Sequence, residues 1–284
     1  TLVMAITLVM AITLVMAITL EKTNQSKRII MVLSHQASVF DNLVILRSEI
    51  GMISFKSKHY KKGIILMLVR WYLAYSLSYR DVEELALERG LNVDHSTIHR
   101  WVIEYAPQLE QSFRKQYKKQ VGVSWRMDET YIKVKGEWKY LYRAVDKEGN
   151  TVDFMLSEKR DEPAARQFFI KAIGSSGIPE KVTMDKSGSN KAGLNSVNLQ
   201  LALIFTLGGM PIQIMTRQVK YLNNIVEQDH RFVKKITKPM KGFKAFPTPS
   251  STLAGIELHY MLRKNQHAQS ANKTIFEQFI GLAA

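Results

Sequence analysis

Three acids in this chain stand where a carboxylate needs a reason: Asp128, Asp185 and Glu227. Asp128 lies inside VSWRMDETYIKV, a run with period-two alternation, and shares its face with Thr130, Ile132 and Val134. That face is expected to be buried, where an unpaired carboxylate is costly. Asp185 closes EKVTMD, a short strand pattern, and ligands of open α/β sheets bind at the carboxyl ends of strands. Glu227 falls in the first turns of the helical pattern NIVEQDHRFVKKI. Between the first two acids lie 56 residues, and between the second two 41. Carboxylates gathered from separate elements repel one another unless a cation sits among them. Hard divalent cations take oxygen ligands, and magnesium also accepts phosphate oxygens. Two such ions can serve the attacking and leaving oxygens of a phosphoryl transfer. The chain holds 25 acids, Asp146 and Asp153 also fall on strand patterns, and Glu129 is expected on the face opposite Asp128. Spacing alone therefore does not single out this triad.

The elements that must position these acids read as follows. Strand patterns run over 125–134 and 137–146, joined by a tight turn at Lys135 and Gly136, and over 151–157. A helix is expected over 162–173, strands over 180–185 and 211–215, and a helix over 195–207. Three antiparallel strands followed by alternating helix and strand predict a mixed α/β sheet with helices on both sides. Trp138, Tyr140 and Tyr142 share one strand face, and core packing is the favoured reading over base stacking. His230, one helical turn after Glu227, reads first as a packing residue. Lys234, Lys235, Lys238, Lys241 and Lys244 form a basic run beside the proposed site, suited to a DNA backbone.

Upstream, residues 63–105 read as helical. Ser78 with Asp81 forms a box-like cap for YRDVEELALERG, Gly90 stops that helix, and Asp94 or Ser96 caps STIHRWVIEYA. Pro107 is expected to follow its end. Two short helices around a glycine turn form a helix-turn-helix candidate, though an ordinary helical hairpin fits the pattern equally. Its second helix would bring Ser96, Thr97, His99 and Arg100 toward base edges, with Arg80 on the first. Charge tips the balance toward DNA: 40 Lys and Arg face 25 acids, a net of +15. Absence of cysteine excludes disulfides and Cys-type zinc sites.

TLVMAI occurs three times in tandem over residues 1–18. It lacks the basic start and cleavage pattern of a signal peptide. Read-through of upstream DNA, with the working start at Met52, is favoured over a membrane anchor. Residues 1–51 carry four basic and three acidic side chains, which leaves +14 of the net +15 to the rest.

The segments WRMDETYIKVKGEWKYLYRAVD, VDHSTIHRWVIEYAP and YLNNIVEQDHRFVKKI together resemble the bacterial DDE transposases of the insertion sequence six family, over about residues 52 to 263. This resemblance implies a ribonuclease-H-like core, at 123–265, behind a helix-turn-helix domain at 52–110; the basic run QSFRKQYKKQVG at 111–122 reads as the linker between them. Residues 1–51 would be an extension outside the family fold, and 266–284 a tail. By position, the family's metal-holding acids fall on Asp128, Asp185 and Glu227, and its following basic residue on Lys234, with Lys235 beside it. Implied with them are two magnesium ions (manganese also serving) and double-stranded DNA as partner, both the terminal inverted repeats and the target. A homodimer or larger assembly on DNA, replicative formation of cointegrates, no membrane partner and a place in the bacterial cytoplasm on the nucleoid complete the expectation. A non-catalytic DNA-binding regulator, and a nuclease or integrase of the same fold, are the competing readings. The interval from Asp185 to Glu227 is longer and more apolar than the family pattern implies, and the hexapeptide repeat has no counterpart in it.

Overall fold

The computed structural model describes residues 53–186, 188–206, 212–219, 223–240, 243 and 248–283. Expectations about the hexapeptide repeat, the start at Met52, a strand beginning at Pro211, and Lys241 and Lys244 lie outside the described residues. Among the described residues, those from 53 to 195 and from 214 onward belong to one compact unit.

Three helices come first: α1 (Lys62–Ala74), α2 (Tyr79–Leu87) and α3 (His95–Ser112). Ser78 begins α2 with a reciprocal cap, its hydroxyl accepting from the Asp81 N–H while the Asp81 carboxylate accepts from the Ser78 N–H. Beyond α2 the chain turns at Gly90, φ 71°, and the Leu91 N–H reaches back to the Ala86 carbonyl. Asp94 caps α3 by accepting from the Ser96 N–H. Pro107 does not end α3 as expected: the helix runs through it to Ser112. An interior proline costs about 3 kcal/mol. Here Trp101, Val102, Tyr105, Ala106 and Leu109 bury one face of α3 on both sides of Pro107, and that burial outweighs the lost bond.

The sheet follows: β1 (Ser124–Val134), β2 (Glu137–Val145), β3 (Thr151–Ser157), α4 (Glu162–Ser176), β4 (Lys181–Met184), α5 (Gly188–Thr206), β5 (Met215–Gln218), α6 (Asn224–Thr237), α7 (Thr248–Arg263) and α8 (Ile275–Gly281). Its order is β3-β2-β1-β4-β5, with the first three antiparallel and β4 and β5 parallel to β1. This is the expected mixed sheet with helices on both sides. Lys135 and Gly136, at φ 51° and 84°, make the two-residue turn that fixes the β1–β2 register. Of the strand expected at 211–215, the described residues 212–214 precede the observed one, which starts at Met215 opposite Lys181 of β4.

Alternation along β1 gives the expected burial: Thr130, Ile132 and Val134 are buried, while Tyr131 and Lys133 are exposed. The buried face packs Ile132, Leu141 and Phe154 against Val233 of α6 and Leu253 of α7. α4 covers the opposite face, where Phe168 stacks on Tyr142 at 5.7 Å. Gly193 of α5 sits so near α4 that a Cβ there would lie 2.7 Å from that of Ala165.

Two segments read from charge and length differ in the fold. The basic linker is helical over its first half, since α3 continues into a single π turn, Phe113–Tyr117. Arg114 of that turn reaches buried Asp153 on β3 at 3.0 Å, and Lys171 of α4 reaches the same carboxylate at 3.0 Å. Sequence does not display that buried partner, which is distant along the chain. Residues 266–284, expected as a tail, contain α8, capped by Thr274 and Glu277, with Phe279 and Leu282 buried against the helical core. Seven residues are too few for a helical period to show in sequence.

Candidate active site

Pairing between β1 and β4 stops at Arg126↔Thr183. Asp128 and Asp185 each lie two residues beyond that pair, so the two carboxylates stand side by side where the parallel pairing ends, Asp128 mid-strand in β1 and Asp185 just past the end of β4. Asp128, Glu129 and Asp185 each offer an oxygen, and the three oxygens lie within 4.8 Å of one another. Glu129 was expected on the opposite face. It joins the group because β4 stops pairing with β1 at Arg126 and because Arg160 holds it there. The Arg160 Nε lies 3.1 Å from Glu129 Oε1, and its Nη2 lies 3.3 Å from Asp185 Oδ2.

Glu227 stands on the first turn of α6, with an exposed side chain. It is outside the 4.8 Å group but close enough to act on Asp128 electrostatically. Burial first, then Glu129, with Asp185 and Glu227 adding, pushes the Asp128 carboxyl up to about 7. Asn223 pins the start of α6 to the site by donating to the Met127 carbonyl at 3.2 Å. His230 is buried with Nδ1 3.9 Å from Asp128 Oδ2. Burial, then Arg143 and Lys234, lowers its imidazole to about 3, so it is neutral at pH 7 and offers Asp128 no positive charge. Hard oxygen donors converging on a partly buried, mutually repelling group suit a divalent cation.

α6 is itself held by a buried ion network. Arg143, paired directly across from Asp128 on β2, is fully buried. Its Nε and Nη2 donate to Glu257 of α7 at 2.6 and 2.9 Å, and Nη2 reaches Asp229 of α6 at 2.7 Å. Lys264 and Tyr260 complete the set on Asp229. The sequence reading missed Glu129, Arg160 and this network.

Among the residues expected at DNA, Ser96 and Arg100 are exposed at the start of α3, and Arg100 donates to Thr97 Oγ1 at 2.9 Å. His99 is half-buried and packs edge-on against Tyr79 at 5.1 Å. Arg80 on α2 is exposed, as are Lys234 and Lys235 in the last turn of α6. No helix among the described residues is long and apolar enough to cross a membrane.

Residues 122–266 match a family model described as a DDE domain. The chain is 44% identical over 210 residues to the transposase for insertion sequence-like element IS431mec of Staphylococcus aureus (strain Mu50 / ATCC 700699), covering 74% of this chain and 88% of that protein. Identity and coverage are the same against the transposase for insertion sequence element IS257 in transposon Tn4003 of Staphylococcus aureus. Among solved structures, the HTLV-2 integrase catalytic core domain in complex with magnesium (trimeric form) is similar at 16% identity and a TM-score of 0.35, over 49% of this chain and 85% of that one. So distant a likeness carries no argument of its own. With a DDE-domain match over half its length and relatives aligned over most of theirs, this chain belongs to the DDE transposases of the insertion sequence six family.

Proposed function

We propose that this metal-dependent DNA transposase works through Asp128, Asp185 and Glu227 as its metal-holding acids, with Glu129 beside them. The observation that carries the reading is the placement of Asp128 and Asp185 two residues beyond the same strand pair, with their oxygens within 4.8 Å. Two magnesium ions, or manganese in their place, would supply charge to activate an attacking oxygen and stabilise a leaving one. The chain's own part is positioning. The sheet fixes Asp128 and Asp185, the Arg143 network fixes α6 and thus Glu227, and Arg160 orients Glu129 against Asp185. Lys234 lies two turns after Glu227 on the same side of α6, where with Lys235 it suits the DNA backbone.

In this scheme water attacks the phosphodiester at an element end, the bond to the 3′ oxygen breaks, and a 3′-OH is left. That hydroxyl then attacks a target phosphodiester, joining element to target as a target oxygen leaves. Cointegrates follow when replication completes the joined product. The helix-turn-helix, through Arg80, Ser96, Thr97, His99 and Arg100, would bind the terminal inverted repeats, and two copies of the chain would pair two ends. Asp128→Asn, Asp185→Asn and Glu227→Gln are each expected to abolish strand transfer with element-end DNA while end binding, measured by mobility shift, persists. Strand transfer at the wild-type rate in any of the three would remove that acid from the site, and in all three would favour a non-catalytic regulator.

A further inference from the structure

The β1–β2 hairpin carries one face whose outer end the chemistry above does not use. Register and alternation place Glu129, Tyr131 and Lys133 on it from β1, opposite Tyr142, Tyr140 and Trp138 of β2. Its inner end is covered, since Tyr142 is fully buried under Phe168. Its outer end is open: Trp138 is 62% exposed and Tyr131 49%. These rings are arranged together, Tyr131 lying 6.4 Å from Trp138 edge-on and 5.4 Å from Tyr140. The Lys133 ammonium stands 5.9 Å over the Trp138 ring. Strands exposed only to water favour polar side chains here, and a contiguous set of exposed rings marks a contact surface.

Position and charge say what that surface meets. The ring row begins beside Glu129, whose carboxylate lies within 4.8 Å of those of Asp128 and Asp185. From Glu129 to Lys133 is about 14 Å along the strand, three or four base steps at ~3.4 Å each. Lys133 and Lys135 are exposed beside the rings, and the neighbouring acid Glu137 is paired with Lys139 at 2.9 Å. The surface is thus aromatic and basic, a combination that suits stacked bases with their phosphates. A second copy of the chain meeting it about a two-fold axis would bring like lysines together.

We propose that Tyr131, Tyr140 and Trp138, with Lys133, form a stacking platform for unpaired DNA bases next to the strand being cut or joined. The proposal rests on the transposase reading, and its test needs no catalysis. Full-length protein is titrated, without divalent metal, with a fluorescent blunt duplex and with the same duplex bearing a short single-stranded thymidine overhang. Wild type is expected to prefer the overhang by roughly tenfold, as stacking of one or two bases gives. Trp138→Ala and Tyr131→Ala should remove most of that preference and leave blunt-duplex affinity unchanged, while Trp138→Phe keeps it. Equal affinities for both duplexes in wild type, or an undiminished preference in both alanine variants, would overturn the platform. So would a change in oligomeric state by light scattering in the alanine variants, which would assign the surface to a second copy. Asp128→Asn should keep the overhang preference, so a failed catalytic assignment and a failed platform give different results.

Discussion

Arg143→Met tests whether the buried network holds α6 in place. The guanidinium is fully buried and serves two carboxylates, Glu257 at 2.6 and 2.9 Å and Asp229 at 2.7 Å. Methionine fills much of the same volume and removes the charge. Asp229 keeps Lys264 and Tyr260, but Glu257, also fully buried, loses Arg143. Breaking a buried pair by removing one partner costs about 3–5 kcal/mol, because a carboxylate is left in low dielectric uncompensated. With a urea slope of about 3 kcal/mol per M, the unfolding midpoint should fall by roughly 1–2 M. Adding Glu257→Gln should return part of the loss, since the stranded charge is then gone.

The loss should also depend on pH. Burial by itself would raise the Asp229 carboxyl, but Arg143 and Lys264 beside it hold it below the usual carboxylate range. A depressed folded pKa contributes stability above the unfolded value, about 3.9, that is lost as pH falls through the folded one. Without Arg143 that contribution shrinks, so the gap between wild type and Arg143→Met should narrow below about pH 4. A stability loss under about 1 kcal/mol, far short of a broken buried pair, would mean that the network does not anchor α6. A folded variant with wild-type strand transfer would mean that anchoring does not govern Glu227.

Asp128 has the opposite sign. Its raised folded pKa makes its stability contribution full below about 3.9 and lost as pH rises through about 7. Chelated Asp128→Asn should therefore unfold later than wild type at pH 8, by on the order of 2–4 kcal/mol, and a destabilised variant would refute the burial argument. Arg160→Ala leaves Glu129 and Asp185 without the guanidinium between them, so its thermal midpoint should fall in chelator and recover more on magnesium addition than wild type does; equal magnesium shifts would refute it. Gly255 of α7 allows close packing, since a Cβ there would lie 2.9 Å from that of Ala106 and closer still to buried Leu73. Gly255→Ala should cost about 1–3 kcal/mol in urea unfolding. Arg100→Ala should weaken end binding by about 1–3 kcal/mol with altered sequence preference if it reads a base, and unchanged binding would return α3 to a plain helical hairpin.

Local rules carried much of the fold because they act over a few residues. The Ser78–Asp81 cap, the Gly90 stop and the Lys135–Gly136 turn each follow from short-range stereochemistry, and each forms. What stayed illegible depends on partners distant in sequence. Pro107 continues a helix because the core behind it is large, and Glu129 changes company because β4 stops pairing with β1 at Arg126. Arg160 arrives from the turn between β3 and α4. The exposed end of the Trp138 face shows only once α4 is seen to cover Tyr142 and stop.

One distant relation was readable. A two-residue turn at 135–136 pairs Val134 with Glu137, and counting back along both strands pairs Asp128 with Arg143. A cation across from a mid-strand carboxylate would ordinarily answer why that carboxylate is tolerated. Here it does not, because Arg143 is committed to Glu257 and Asp229. Among the described residues Asp128 has only the neutral His230 within ion-pair distance, and the charges that act on it most are those of Glu129, Asp185 and Glu227. The fold thus satisfies the acids behind the site with buried cations and leaves the acid at its centre uncompensated. That division suits a carboxylate whose counter-charge arrives from solution as a divalent ion, and it ties the anchor of α6 and the anionic site to one pair of facing residues.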